Sequence, residues 1–233
     1  NLHVGITVIA AIVIIFSVIQ FTLWRYVSKV DEEHICKNVF IGKTDVSGMT
    51  KEEAVKAVNN TLGDYRNKQL VLKVKDQGAD VSIEEMGAEV ENIDKLAKKA
   101  VGYGKNGSIW SRYQKIHNLD KKKYVIDESF KVDEAKLREL IQERAVPLEQ
   151  KAVNASASYN GSGFDLTDEA EGYTVDVDKS VKKIKNFMNK KWNYEDAEVE
   201  LKLDTEEPTI KKADLESLQD ELGSYTTNAG WGD

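Results

Sequence analysis

A run of 20 residues without a charged side chain, from Val4 to Leu23, constrains this chain more than any other feature. A helix needs about 20 apolar residues to cross the hydrocarbon core of a bilayer, which is about 30 Å thick. A cleaved signal peptide is the alternative, but its apolar region usually runs about 7 to 15 residues and ends in small residues. Here Trp24, Arg25 and Tyr26 follow, which is typical of a membrane interface. We therefore predict a single-pass plasma-membrane anchor through residues 4–23.

The remainder of the chain is acidic, because the whole sequence carries a net charge of −7 and the residues before Asp31 contribute only basic charges. Nucleic-acid binding depends on Lys and Arg side chains that neutralise phosphates, so we expect no nucleic-acid partner. The single cysteine, Cys36, excludes an internal disulfide. An exported protein without disulfides is more typical of a bacterium than of a eukaryotic secretory route.

A duplicated pattern organises the part beyond the anchor. Thr50 and Glu53 have the spacing of a helix capping box, and Met49 precedes them as an apolar staple residue. Three sets of residues recur at offsets of 83 to 85 positions: Met49–Ala54 with Val132–Leu137, Gly87 with Gly172, and Asp94-Lys95 with Asp178-Lys179. Nearly equal offsets predict a tandem repeat, and Ile210 opens a weaker third match.

The hydrophobic period within each repeat predicts a helix, a hairpin and a second helix. The apolar stripes of the first helices are Ala54, Ala57, Val58 and Leu62 in one repeat and Leu137, Leu140 and Ile141 in the other. Alternating residues predict hairpins with turns near Asp76–Gly78 and at Asn160-Gly161, second helices from about Asp94 to Val101 and Asp178 to Met188, and a last strand at Val199–Leu203. The predicted class is α+β, with an N-terminal transmembrane helix and two tandem repeats of helix plus antiparallel sheet.

No set of residues has the pattern of a catalytic or metal site. Cys36 lies two residues from His34, but the pair follows the apolar segment without a glycine-rich pocket. Ser180 and Lys183 match a Ser-x-x-Lys pattern that lacks its companion motifs. The histidines are scattered along the chain. We therefore predict a module that is not an enzyme, with no catalytic residue, no metal site and no cofactor.

One segment has the composition of a recognition surface. Residues 102–113, between the predicted repeats, combine glycines, aromatic side chains and cations. Aromatic faces pack on the apolar sides of sugar rings, and Arg or Asn can bond hydroxyls and carboxylates. The candidate ligand contacts are Tyr103, Trp110, Arg112 and Tyr113. The alternative, which we prefer, is that Trp110 and Tyr113 fix this segment to the core.

The opening of the first repeat resembles a known family. The residues that carry the resemblance are Val39-Phe40-Ile41-Gly42, Asp45-Val46-Ser47-Gly48-Met49-Thr50 and Glu53-Ala54, with Gly87, Asp94 and residues 100–105 at later positions. They are similar to the peptidoglycan-binding repeat of VanW-type proteins and of some L,D-transpeptidases of Gram-positive bacteria. The resemblance covers about residues 39–207, and Leu222–Thr227 is similar to the first residues of a VanW domain.

This resemblance implies an extracytoplasmic cell-wall module that binds peptidoglycan and positions a downstream VanW-type domain. The expected domains are an anchor and juxtamembrane segment (1–30), a first repeat (31–120), a second repeat (121–208) and the start of a VanW-like domain (209–233). Two alternatives stay open. The repeats can be the substrate-presenting stalk of an L,D-transpeptidase-like enzyme, whose Ser-His-Gly-Cys motif this chain lacks, or a purely structural spacer.

Overall fold

The computed structural model describes residues 2–219, so the Leu222–Thr227 segment lies outside the described residues. The chain forms two compact units, and each unit is assembled from separate stretches of sequence. The first comprises the described part of Asn1–Gln69, with Ser82–Asp133 and Lys185–Asp196. The second comprises Leu70–Val81, Glu134–Ile184 and the described part of Ala197–Asp233. Each unit thus takes segments from both predicted repeats, whose boundaries stay a prediction.

Helices and short strands alternate along the chain, as expected for the α+β class. The helices are α1 (Leu2–Val27), α2 (Lys51–Asp64), α3 (Ile93–Gly102), α4 (Ile109–Asn118), α5 (Glu134–Leu140), α6 (Val177–Lys190) and α7 (Lys212–Leu215). The strands are β1 (Val39–Ile41), β2 (Thr44–Asp45), β3 (Gln69–Val74), β4 (Gln77–Ser82), β5 (Glu89–Val90), β6 (Tyr124–Ile126), β7 (Phe130–Lys131), β8 (Ser156–Tyr159), β9 (Phe164–Thr167), β10 (Gly172–Val175), β11 (Ala197–Glu200) and β12 (Leu203–Glu206). A π-helical turn (Ile141–Ala145) extends α5, and 3₁₀ turns follow at Val146–Leu148 and Glu216–Gln219.

The first unit is built around β1, whose Val39 and Ile41 side chains are fully buried. Strand β1 pairs with β2 in the antiparallel sense and with β6 in the parallel sense, so this sheet is mixed rather than antiparallel as predicted. Helix α2 buries Ala54, Val58 and Leu62 of the predicted stripe, and Ala57, its fourth member, is half-buried.

The predicted capping box begins helix α2. The Thr50 hydroxyl accepts a hydrogen bond from the Glu53 amide at 3.3 Å, and the Glu53 carboxylate accepts one from the Thr50 amide at 2.9 Å. These two bonds satisfy amides at the helix start that have no partner within the helix. The local sequence therefore sets where the helix begins.

The second unit contains the sheet β11–β3–β4, the pair β10–β12 and the hairpin β8–β9. Strand β11 lies parallel to β3, with Val199 opposite Leu72. The predicted hairpin turn at Asn160-Gly161 is confirmed, with Gly161 at a φ of +99°.

The predicted single strand Val199–Leu203 is wrong, because the chain leaves the sheet after Glu200 and pairs again only from Leu203. The backbone of Lys202 explains the break. Its N–H donates to the Ser180 hydroxyl at 2.9 Å, and its carbonyl accepts from the Asp176 amide at 2.8 Å. The backbone N–H and C=O of Lys202 therefore bond to residues at the start of α6 and cannot also bond to a neighbouring strand.

The two glycines that marked the predicted duplication have different structural roles. Gly87 has a φ of +60°, a conformation that side chains rarely adopt. Gly172 has no such conformation, but a Cβ atom there would lie 2.3 Å from the backbone nitrogen of Ala152. Gly87 is therefore required by its backbone angle and Gly172 by close packing.

We expect Gly172→Ala to destabilise the protein by about 1–3 kcal/mol, because the clashing atom is backbone and cannot move aside like a side chain. Gly163→Ala is the matched control, since a Cβ at Gly163 meets no atom within 4 Å. It should change the free energy of unfolding by less than about 0.5 kcal/mol. Urea denaturation followed by circular dichroism measures both, and equal effects of the two variants would contradict the packing role.

Candidate functional site

An open cavity of about 490 Å³ in the first unit brings aromatic and cationic side chains together. Its lining, which we call the tyrosine–lysine cavity, consists of Lys95, Lys98, Lys99, Gly102, Tyr103, Asn106, Lys115 and Tyr124. Helix α3, helix α4 and strand β6 contribute these residues. No acidic side chain is among them, although the chain as a whole carries a net charge of −7.

Helix periodicity places three of the lysines together. Lys95, Lys98 and Lys99 are spaced i, i+3 and i+4 on α3, so they share one exposed face. The opposite face buries Ala97 and Ala100 completely. Within residues 2–219, neither these three lysines nor Lys115 of α4 has an ion-pair partner. Their ammonium groups can therefore bind an anionic ligand without first breaking a salt bridge.

Two tyrosines form the aromatic part of the cavity. The rings of Tyr103 and Tyr124 are stacked, with centroids 3.7 Å apart and planes 14° from parallel. Tyr124 is held by the parallel pairing of β6 with β1, and its amide donates to the Asn38 carbonyl at 2.8 Å. Burial raises the pKa of Tyr103, with a smaller contribution from Tyr124, so its phenol stays protonated at neutral pH.

The turn after α3 also depends on local packing. Gly104 has a φ of +79°, and a Cβ there would lie 3.0 Å from Cγ1 of Ile116. The buried Cys36 thiol donates to the Tyr103 carbonyl at 3.4 Å, and burial raises the pKa of this thiol. Cys36 therefore contributes to packing behind Tyr103 as a neutral thiol.

Of the four predicted contact residues, only Tyr103 lines the cavity. Tyr113 stacks with His117 at 5.5 Å and contacts Tyr26 of α1 edge-on at 5.1 Å. The Arg112 guanidinium lies 3.5 Å from the Val27 carbonyl. Segment 109–118 is therefore a helix packed against α1 rather than a linker. A role of Trp110, Arg112 and Tyr113 in ligand binding stays a prediction.

Sequence reasoning missed Tyr124 and the four lysines of the cavity. The lysine face of α3 was visible as an i, i+3, i+4 pattern opposite two alanines, but exposed lysines are common on helices that bind nothing. No local signal identifies Tyr124, because it reaches Tyr103 through the pairing of β6 with β1.

A second cavity, of about 350 Å³, lies in the second unit. It is lined by Lys73, Lys75, Lys183, Glu200, Leu201, Lys202 and Leu203. Lys75 is paired with Glu171 at 3.5 Å, and Glu200 adds a negative charge to the lining. No aromatic side chain lines this cavity, so it offers less for recognition of a sugar than the tyrosine–lysine cavity.

The first unit also buries a carboxyl group that the sequence did not indicate. Glu128 accepts a hydrogen bond from the Tyr194 hydroxyl, while its Oε2 atom is buried without a hydrogen-bond partner among the described residues. Gly42 makes room for it, since a Cβ at Gly42 would lie 1.6 Å from Glu128 Oε1. Burial raises the pKa of Glu128, partly offset by Tyr194 and Lys43. Burial also raises the pKa of Tyr194, and the Glu128 carboxylate adds to this effect.

Tyr194, the hydrogen-bond partner of this carboxyl group, belongs to a group of packed aromatic rings. Tyr194 lies 4.8 Å from Tyr65 and 5.1 Å from Phe130, and Trp192 lies 4.7 Å from Phe130, measured between ring centroids. Trp192 and Tyr194 are both buried. We call these four residues the aromatic cluster. It joins the segment Lys185–Asp196 to the rest of the first unit.

The raised pKa of Glu128 predicts a pH dependence of stability. The folded state binds the proton more tightly than the unfolded state, so stability is full below the unfolded pKa and falls as the pH rises through the folded pKa. Above about pH 4.3, the free energy of unfolding of the parent should therefore fall with rising pH more steeply than that of Glu128→Gln. The measurement is the free energy of unfolding against pH. A Glu128→Gln curve that stays parallel to the parent curve at every pH would contradict this role of Glu128.

The chain matches the family described as "putative peptidoglycan binding domain" over residues 79–197, just over half of its 233 residues. It belongs to this family. No curated protein and no solved structure matches the chain. The match covers parts of both predicted repeats. All eight residues that line the tyrosine–lysine cavity lie inside the matched segment. Of the residues that line the second cavity, only Lys183 lies inside it.

Proposed function

We propose that the chain is a membrane-anchored, non-catalytic cell-wall module that binds peptidoglycan in the tyrosine–lysine cavity. One observation carries the proposal: the segment that matches the peptidoglycan-binding family contains the whole of a cavity that combines stacked aromatic rings with unpaired cations. Such a combination suits a ligand that is both a sugar and an anion.

Peptidoglycan has this chemistry, because its sugar strands carry peptide stems that end in carboxylates. The exposed parts of the Tyr103 and Tyr124 rings offer apolar area for a sugar face, and the protonated phenol of Tyr103 is a hydrogen-bond donor. The lysines of α3 offer ammonium groups for the stem carboxylates. Asn106, whose side-chain amide donates to the Gly102 carbonyl at 3.3 Å, also lines the cavity, and its side-chain oxygen can accept a hydrogen bond from a hydroxyl.

The anchor is proposed from α1. Its segment Val4–Val27 is long and apolar enough to cross a membrane, by length and composition, and its side chains from Val4 to Phe21 are exposed with the exception of the half-exposed Gln20. We place the remainder of the chain on the extracytoplasmic side, because peptidoglycan lies there. The similarity of Leu222–Thr227 to a VanW domain supports a module that positions a further domain of that type in the wall of a Gram-positive bacterium.

The alternatives differ in what happens when the cavity is altered. A stalk that presents substrate to an enzyme needs the cavity, whereas a spacer does not. The tyrosine–lysine cavity favours a binding role over the spacer, because the lysines share one cavity with two stacked aromatic rings and are not scattered over a helix surface.

We expect the triple variant Lys95→Glu, Lys98→Glu, Lys99→Glu to bind purified peptidoglycan sacculi at least about tenfold more weakly. Each lost ion pair contributes about 0.2–1 kcal/mol, and repulsion of carboxylates adds to the loss. A co-sedimentation assay with detergent-solubilised protein measures the change.

The matched control for this experiment carries the same charge change elsewhere. Lys56, Lys182 and Lys190 are exposed, lie outside the cavity and have no ion-pair partner among the described residues. Their replacement by Glu should leave binding within about twofold of the parent. Equal losses of binding in both triple variants would show that net charge causes the effect and would count against the cavity.

Tyr124→Ala tests the aromatic part of the cavity in the same assay. It should weaken binding more than the control Tyr159→Ala, which lies on the exposed hairpin β8–β9.

The anchor makes a separate prediction. The protein should stay in the membrane fraction after an alkaline carbonate wash, and Ile14→Arg should reduce this retention because Arg at a span centre costs about 2.5–3.5 kcal/mol. Val153→Arg is the control, since Val153 is also apolar and more than half exposed but lies in the second unit. Recovery of a soluble product that begins after residue 23 would show a cleaved signal peptide instead.

A further inference from the structure

Helix α4 packs on the last turns of α1, at the end of the apolar segment. Leu23 and Val27, one helical turn apart, are buried, with 9% and 1% of their surface exposed. Upstream of them, Val18 and Phe21 are each 58% exposed. Burial of α1 therefore begins where the proposed membrane span ends, and the covering element is α4.

Polar and aromatic contacts fix α4 to this end of α1. The Tyr113 ring meets the Tyr26 ring edge-on, with centroids 5.1 Å apart. The Arg112 guanidinium lies 3.5 Å both from the carbonyl of Val27, the last residue of α1, and from the Glu32 carboxylate. A cation at the last carbonyls of a helix is favourable because these carbonyls have no partner within the helix. The first unit is thus joined to the anchor by a packed contact rather than by a flexible linker.

Three large amphipathic side chains of this contact still face outward. Trp24 is 52% exposed, Tyr26 is 37% exposed and Trp110, the second residue of α4, is 54% exposed. The Trp110 ring stacks on Tyr113 at 5.8 Å, and Tyr113 in turn contacts Tyr26, so Trp110 lies beside the end of α1. Trp and Tyr are enriched at membrane interfaces, where the ring is partly in the acyl region and its polar atom meets the headgroups.

We propose that Trp24, Tyr26 and Trp110 form an interfacial platform, and that the N-terminal turn of α4 lies in the headgroup layer of the bilayer that α1 crosses. The occupant of this surface is phospholipid, because the platform continues the exposed apolar surface of residues 4–21. The proposal rests on the anchor proposed above. Since α4 also contributes Lys115 to the tyrosine–lysine cavity, the platform holds that cavity at a set height above the membrane.

Tryptophan fluorescence in vesicles of brominated phosphatidylcholine tests the platform, because bromine quenches only rings that approach the labelled depth. Three variants of the full chain all keep the buried Trp192 and replace Trp231 with Phe. The first also carries Trp24→Phe and so retains Trp110. The second carries Trp110→Phe and so retains Trp24. The third carries both changes and reports Trp192 alone.

We expect bromine near the headgroup end of the acyl chains to quench the variants that retain Trp24 or Trp110 more than the third variant. Bromine near the bilayer centre should quench Trp110 little. If Trp24 is quenched and the Trp110 signal matches that of the third variant, the platform is overturned and the anchor stands. If neither is quenched, the anchor proposal fails and the platform fails with it. Far-ultraviolet circular dichroism of the three variants shows that the fold is retained.

Discussion

The first unit depends on the packing of residues 185–196 against residues that lie more than 50 positions earlier in the sequence. Trp192 and Tyr194 of this segment bury their rings against Phe130 and Tyr65, and Tyr194 donates to the buried Glu128. Buried aromatic rings contribute more apolar area than any other side chains, so this cluster is a main source of cohesion. Strand β6, which carries Tyr124, pairs with β1, and strand β7, which carries Phe130, pairs with β5. The Phe130 ring connects β7 to the cluster.

The sequence predicted correctly those elements that are determined by residues close to one another in the chain. The capping box at Thr50, the stripe of α2, the second helices and the Asn160-Gly161 turn were all predicted correctly, because residues within a few positions determine them. The break after Glu200 was not predictable, since it depends on hydrogen bonds between Lys202 and α6. Helix α4 could have been predicted from its Ser108 cap and its apolar spacing.

The residues of the candidate site also differ in whether nearby sequence could predict them. Tyr103 was predicted as a contact residue from composition, and the lysines of α3 could have been found from periodicity. Tyr124 required the parallel pairing of β1 with β6, which no short pattern encodes. Composition describes the whole chain and not its parts. The net charge is −7, yet four lysines and no acidic side chain line one cavity. Charge distribution, rather than its sum, decides which ligands can approach.

The interleaving of the two units has a consequence for biosynthesis. Synthesis from the N-terminus supplies α1, β1 and α2 first, and it supplies Trp192 and Tyr194 of the first unit only after the whole of Glu134–Ile184 has been made. Phe130 and Tyr65, which these two rings contact in the folded unit, lack that contact during the interval. Long-range closure of this kind slows folding and exposes intermediates to aggregation. With α1 as the proposed anchor, a nascent chain tethered at the membrane would meet few other copies of itself during that interval, so the anchor would protect folding as well as fix location.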